Sequence, residues 1–317
     1  MKVTVLAGGR SLERQVSLKS GARVEDALRS LGHEVTQIDP GGDLVSRLKA
    51  ERPEVVFIAL HGPGGEDGTV QGLLEILGIA YTGPGVGACI RCMDKVASKQ
   101  ALRGAGIPTP DWFAFNAQAF QGLGAADALE EIEAQLGFPL VVKPAAQGSS
   151  LGVEFAAERS AVPQALVAAL SYDDRVLLER YVKGRELAVG ILDGEPLPIV
   201  EAIPKQEDFF NFEARYEIGR TDYVCPAELS DDETAAVHDV ARRTWEVLGV
   251  QGFARVDLML GEAEGHQVLE VNAIPGLTDT SLFPQAAEAS GLSFEDLCAR
   301  IVELALERRR ASAPLPG

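Results

Sequence analysis

The stretch VLEVNAIPGLTDTSL, residues 268 to 282, sets an acid, an amide and a proline–glycine turn at the end of an apolar run. Glu270 and Asn272 are two positions apart, so in an extended chain their side chains share one face. Upstream, FARVDLML (253 to 260) repeats the arrangement with Arg255 and Asp257. The short stretch GEAEG separates the two segments, which predicts an antiparallel hairpin. If facing residues share a constant sum, Asp257 lies opposite Glu270 and Arg255 opposite Asn272, and the four polar side chains converge. Facing carboxylates repel one another unless something compensates them. A divalent cation would do so, and hard oxygen ligands suit Mg2+. A solvated strand face can carry one acid pair to no effect, but four such residues in an apolar context favour a site.

A second group suits phosphate. Lys95, Lys143 and QGSSLG (147 to 152) combine two ammoniums with a glycine–serine turn rich in backbone N–H groups, which can cradle polyphosphate. It is not a Walker motif, because GxxxxGK[ST] is absent and Lys143 precedes the turn. LAGGRS after the first strand lacks GxGxxG as well. A lone lysine at a strand end is more often a surface residue, but the Gly-Ser loop beside it and the acids downstream favour a nucleotide. LLERYVKGRE (177 to 186) could supply adenine contacts from its backbone and a ribose partner in Glu186, although an exposed strand and turn would look similar. Cys89 and Cys92 form a CxxC with no second pair or nearby histidine pair, so a packing role is expected.

These residues need elements to hold them. At 317 residues the chain exceeds one ordinary core, and two or three packed units are expected. The net charge of −18 argues against nucleic acid or an anionic membrane as partner, so an anionic ligand needs locally placed cations. No apolar run approaches a membrane span. Four cysteines without a secretion signal suit a reducing cytoplasm. The first ~90 residues alternate strand and helix patterns, which implies a parallel sheet wrapped by helices, with function in loops 8 to 14 and 61 to 68. Val24, Leu28 and Leu31 mark the inner face of the first helix, which ends at Gly32. A new unit begins near Met93, and from Arg185 onward the chain is strand-rich. The loop from Lys205 to Cys225 is long enough to be a lid.

Together GGRSLERQVSLKSG, HGPGGEDGTVQG, YTGPGVGACIRCMDK, VVKPAAQGSSLGV, GFARVDLML and EVNAIPGLTDTSL resemble the ATP-grasp ligases, specifically the D-alanine–D-alanine ligase family. The resemblance spans almost the whole chain. It implies an α/β (α+β) ATP-grasp fold: an N-terminal parallel-sheet domain (1–92), a central ATP-grasp subdomain (93–178) and a C-terminal one (179–317) with lid 205–225, the last two built on antiparallel sheets. It implies two Mg2+ ions, replaceable by Mn2+, on Asp257, Glu270 and Asn272, with Glu270 bridging them. Lys95, Lys143, Ser149, the Ser150 backbone and Arg215 would face the ATP phosphates. Glu179, Arg180, Tyr181 and Val182 would line the adenine pocket, Glu186 would take the ribose, and Phe209 would also contact the cofactor. Glu13, supported by His61, would pair with the ammonium of the first D-alanine. Arg255 and the Gly276 amide would form an oxyanion site, and Ser281 and Leu282 would receive the second carboxylate. Ser149 and Tyr216 would join Glu13 in a clasp that fastens the lid.

The implied chemistry uses these types directly. The first D-alanine carboxylate attacks the γ-phosphate, and the second D-alanine amine attacks the acylphosphate, so no enzyme nucleophile is needed. A water-labile intermediate gives the lid its purpose. The chain departs from the family pattern at Phe210 and Phe212, where tyrosines are usual, and at Arg215, where a lysine is usual. Ala273-Ile274 and Thr280 also vary positions near the second substrate. The product expected is D-alanyl-D-alanine for peptidoglycan precursors, made by a cytoplasmic homodimer. The alternatives are a D-alanine–D-lactate or other ATP-grasp carboxylate–amine ligase, or a catalytically silent nucleotide-binding protein.

Overall fold

The computed structural model describes residues 1–122, 128–204 and 221–312. Strands β1 (Lys2–Leu6), β2 (Glu34–Ile38), β3 (Val55–Ile58) and β4 (Ala80–Tyr81) form a parallel sheet in the order β2-β1-β3-β4. All of β3 is buried, as a strand covered on both faces requires. Helices α1 (Arg14–Ser30), α2 (Leu44–Glu51) and α3 (Thr69–Ile76) connect these strands. The inner face of α1 is small, with Ser17, Ser20 and Gly21 buried beside Val24 and Leu28. A Cβ at Gly21 would sit 2.3 Å from the Ala7 Cβ, so only glycine allows α1 to lie this close to the sheet. Leu31, expected on that face, lies just past the helix end and is 40% exposed.

The segment around Met93 is two helices, α4 (Val86–Met93) and α5 (Lys95–Gly104). Asp94 divides them: its backbone is extended and its carboxylate accepts from the Val96 and Ala97 N–H groups, an N-cap for α5. After β5 (Trp112–Asn116), α6 (Ala117–Gly122) and α7 (Leu129–Leu136) come β6 (Leu140–Pro144), β7 (Glu154–Ala156), α8 (Val162–Ala169) and β8 (Arg175–Arg180). The four strands form an antiparallel sheet ordered β5-β8-β6-β7, with its own core of Leu140, Val142, Leu166, Val176 and Leu178. The boundary expected between 178 and 179 therefore falls inside β8, and the chain leaves this sheet only after Arg180. Leu102 of α5 and Ile107 belong instead to the larger core, which joins the first and last sheets.

The last sheet comprises β9 (Gly184–Leu192), β10 (Glu195–Pro196), β11 (Val200–Pro204), β12 (Thr221–Val224), β13 (Phe253–Gly261) and β14 (Gly265–Asn272). Its main path is β12-β11-β9-β13-β14, all antiparallel, with β10 on β9. The expected lid loop is shortened at its far end, because 221–224 are strand paired with β11. The helix Asp231–Leu248 opens with a capping box between Ser230 and Glu233. The C-terminal helix Phe294–Ser312 closes the larger core. No described helix is long and apolar enough to cross a membrane.

Candidate active site

The hairpin β13–β14 sets Arg255 opposite Asn272 and Asp257 opposite Glu270. Near the turn, however, Leu260 faces His266, one position short of a constant sum, and the register shifts at Asp257/Leu258. Leu269 is the extra residue of this β-bulge. The bulge turns Leu269 and Glu270 to the same cleft, which Met259 and Asp257 also line.

The acids are already compensated. Arg255 Nε and Nη2 grip Asp257 Oδ1 and Oδ2 at 2.6 and 2.7 Å, and Asn272 Nδ2 donates to Oδ2 at 2.8 Å. Lys95 Nζ lies 3.0 Å from Glu270 Oε2. The compensation expected from a divalent cation is thus already supplied by two protein cations, Arg255 and Lys95. Burial raises the Asp257 carboxyl above its usual range despite Arg255. Burial acts on Glu270 in the same direction, but Lys95 and Lys143 outweigh it and hold the carboxyl low. Among the described residues, no three His, Cys, Asp or Glu side chains form a metal cluster. The third protein oxygen available beside the two acids is the Asn272 amide, and an all-oxygen set of this kind fits Mg2+.

The cleft lies between the two antiparallel sheets and encloses about 760 Å3, its open mouth included. Lys95, Lys143, Gln147, Ser150, Glu179, Tyr181, Val182 and Glu186 line it. Lys143 Nζ donates to Glu179 Oε1 at 2.8 Å, so its ammonium is already paired with a buried carboxylate. Burial would raise the Glu179 carboxyl, but Lys143 and Lys99 overcome this and lower it. Arg180 contributes backbone, since its guanidinium turns away to the Gln135 carbonyl. Tyr181 is braced edge-on against Phe155 at 5.2 Å. The loop after β6 holds two non-glycine residues in the left-handed region, Ser149 (φ 48°) and Ser150 (φ 55°). Such strained turns aim backbone N–H groups into a concavity, an anion nest. Lys95 Nζ also donates to the Gln147 carbonyl at 2.6 Å, tying the loop to Glu270.

Glu13 lies at the head of α1 and is 9% exposed. Ser149 donates to its Oε1, while Oε2 is buried without a hydrogen-bond partner among the described residues. Burial raises its carboxyl, and the Ser149 bond opposes the rise. Cβ atoms at Gly62 and Gly148 would come within 2.6 and 2.7 Å of Oε2, so only glycines fit against that oxygen. Gly148 also lines a neighbouring cavity, together with Glu66, Gln147 and Asn272.

His61 does not face this cavity as a free group. Its Nδ1 meets the Ile274 carbonyl at 3.0 Å and its Nε2 meets Ser20 Oγ at 3.1 Å. The Ile274 carbonyl can only accept, so Nδ1 carries the ring proton; burial keeps the ring neutral, and Nε2 accepts from Ser20, which itself accepts from the Leu277 N–H. His61 thus braces the 274–277 turn against α1. In that turn a Cβ at Gly276 would sit 2.7 Å from Ser281 Oγ. Ser281 is the N-cap of the helix Leu282–Ala289, and its Oγ accepts from the Thr278 N–H at 3.0 Å. Leu282 shares a second cavity with Arg255, Asp257 and Tyr223. Phe209, Phe210, Phe212, Arg215 and Tyr216 lie outside the described residues.

Sequence reasoning missed Lys99, Glu66, Met259 and Leu269. Lys99 follows Lys95 by four positions on α5, a spacing that puts both ammoniums on one face. Met259 continues the alternation of Arg255 and Asp257. Glu66, which accepts from the Gly62 N–H, is pushed up to about 8 by burial and by Glu13.

Two family descriptions match the chain: the D-ala D-ala ligase C-terminus over residues 101–303 and the D-ala D-ala ligase N-terminus over 43–84. A D-alanine–D-alanine ligase of Synechococcus is 46% identical, covering 100% of this chain and 97% of the relative. One from Moorella thermoacetica is 44% identical over 97% of this chain and 100% of its own length. The crystal structure of the Bacillus anthracis ligase superposes with a TM-score of 0.87 at 35% identity, covering 99% of this chain and 100% of that one. A structure of that ligase complexed with ATP gives a TM-score of 0.84 at 33% identity, covering the same shares. The chain belongs to the D-alanine–D-alanine ligase family.

Proposed function

We propose that the chain joins two D-alanines into D-alanyl-D-alanine at the expense of ATP, for peptidoglycan precursors. The observation that carries this reading is the pairing of a cation-lined cleft with a buried, half-satisfied carboxylate at its edge. ATP lies along the cleft, with adenine against Tyr181 and Val182, ribose at Glu186 and phosphates at Lys95, Lys143 and the Ser149–Ser150 nest. The Glu13 Oε2 atom receives the ammonium of the first D-alanine, which restores the charge that burial disfavours. Its carboxylate then attacks the γ-phosphate in line, and Lys95 and Lys143 offset the developing charge. The second D-alanine docks its carboxylate at Ser281 and Leu282, where a helix N-terminus favours an anion. Its amine attacks the acylphosphate carbonyl, and Arg255 with the Gly276 N–H holds the oxyanion as phosphate leaves. His61 acts by holding the turn that carries Gly276.

Asp257, Glu270 and Asn272 would hold two Mg2+ ions, or Mn2+ in their place, which neutralise phosphate charge when bound. Binding there requires Arg255 and Lys95 to exchange their carboxylate contacts for contacts to substrate. Tyr216 and Arg215 belong to the lid in this reading. A homodimer in the cytoplasm is part of the same reading.

The test is purified chain with ATP, Mg2+ and either D-alanine alone or D-alanine with D-lactate, recording phosphate release and product mass. D-alanine-dependent release with the dipeptide mass is expected. ATP cleavage that ignores D-alanine would remove the proposal, and an ester product would move it to the depsipeptide.

A further inference from the structure

A lysine outside the expected phosphate set shares Glu179 with Lys143. Lys99 is fully buried, and its ammonium lies 2.5 Å from Glu179 Oε2. It donates to Thr109 Oγ1 at 2.5 Å and to the Pro110 carbonyl at 3.1 Å, and it sits 5.1 Å from the centre of the Trp112 ring. Thr109 in turn donates to the Val268 carbonyl at 2.7 Å, just before the bulge that carries Glu270. Lys143 takes the other oxygen of Glu179 at 2.8 Å. One carboxylate therefore stands between two ammoniums. Lys143 lines the cleft and Lys99 does not.

Without Lys99, Glu179 and Lys143 would form a closed, neutral pair. A buried carboxylate with a single cation holds that cation firmly, because separating them strands a charge in low dielectric. With Lys99 present, the carboxylate is neutralised from behind and the Lys143 charge stays uncancelled at the cleft. We propose that Lys99 is a positioning residue for nucleotide binding: by satisfying Glu179 from inside the protein, it leaves the Lys143 ammonium available to a phosphate of the bound nucleotide. The inference rests on the nucleotide reading of the cleft given above. It concerns only the phosphate part of the affinity.

Calorimetric titration of the full chain with adenosine, ADP and ATP tests it, using wild type, Lys99→Met, Glu179→Gln and the double variant. Lys99→Met should weaken ADP and ATP by about tenfold or more while adenosine changes less than about twofold, a selective loss of one ionic contact. In the Glu179→Gln background, where no carboxylate competes for Lys143, the same substitution should have no such effect. An equal loss for all three ligands, no loss at all, or an undiminished loss in the Glu179→Gln background would overturn the proposal. If Lys99→Met does not fold, Glu179→Gln alone decides: the gain from adenosine to ADP should match or exceed that of wild type, and a smaller gain refutes the idea. Wild type that binds no nucleotide would sink the reading of the cleft itself.

Discussion

Glu270 shows how much a single group can carry at this site. Its carboxylate is held ionised by Lys95 and Lys143, faces Asp257 across the hairpin, and borders both the nucleotide cleft and the cavity near Glu13. Glu270→Gln keeps the shape and the acceptor for Lys95 but removes the charge. Turnover should fall by about 100-fold or more, the scale of losing one preorganised electrostatic group, while circular dichroism and the melting temperature hold. Near-normal turnover would refute its role. His61 makes a different prediction, because it acts through the fold. Burial pushes its imidazole down to about 4, against an ordinary value of 6.5. Between those values the unfolded chain binds a proton that the folded chain refuses. Its contribution is therefore complete above pH 6.5 and lost as pH falls towards 4, a swing of about 3 kcal/mol at most. Glutamine can still donate to the Ile274 carbonyl and accept from Ser20 without taking up that proton. Urea unfolding of His61→Gln at pH 7 and pH 4.5 should show a smaller acid loss than wild type, and an identical loss would show that His61 does not titrate this way.

At the scale of elements, the bulge in β14 decides which side chains line the cleft. A regular ladder running from the Gly261–Gly265 pair would set Asp257 against Leu269, whereas the extra residue sets it against Glu270 and leaves Leu269 as cleft wall. Leu269→Ala should raise KM for ATP about tenfold through lost apolar contact and leave KM for D-alanine unchanged. A shift in the D-alanine constant instead would place Leu269 elsewhere. The acid pair was legible in the sequence because period-two alternation fixes faces. The bulge was not, since a leucine in an apolar strand carries no glycine-like mark of irregularity. That Lys95 and Lys143 stand in one cleft with the acid pair was legible in the residues themselves, whereas Glu13 and the ATP-grasp fold came only with the family resemblance. The direction of the His61 ring was not legible, because it depends on a carbonyl 213 residues away. Nor was the break at Asp94, where a capping carboxylate divides what reads as one helical stretch.

At the scale of the whole molecule, the described residues form two cores of unequal size. The larger one joins the parallel sheet to the last antiparallel sheet, and the smaller belongs to β5–β8 with α7 and α8. Contacts that cross to the smaller unit at the cleft include polar ones: Lys99 with Glu179, Lys95 with the Gln147 carbonyl, and Ser149 with Glu13. An apolar core this limited opens locally at lower free energy than the rest. The overall charge of −18 offers an anion nothing, yet the cleft gathers Lys95 and Lys143, with Lys99 buried behind Glu179. A nucleotide spanning both sheets therefore adds the ties that the small core lacks. At a ligand concentration of about 100 Kd it should stabilise the bound state by about 2.7 kcal/mol. Hydrogen exchange followed by mass spectrometry should then slow in β6, β8 and residues 147–152 on adding ADP, by up to about 100-fold, while β1 and β3 change little. Slowing spread evenly over the parallel sheet would mean that the two cores open as one, and the small unit would lose its separate standing.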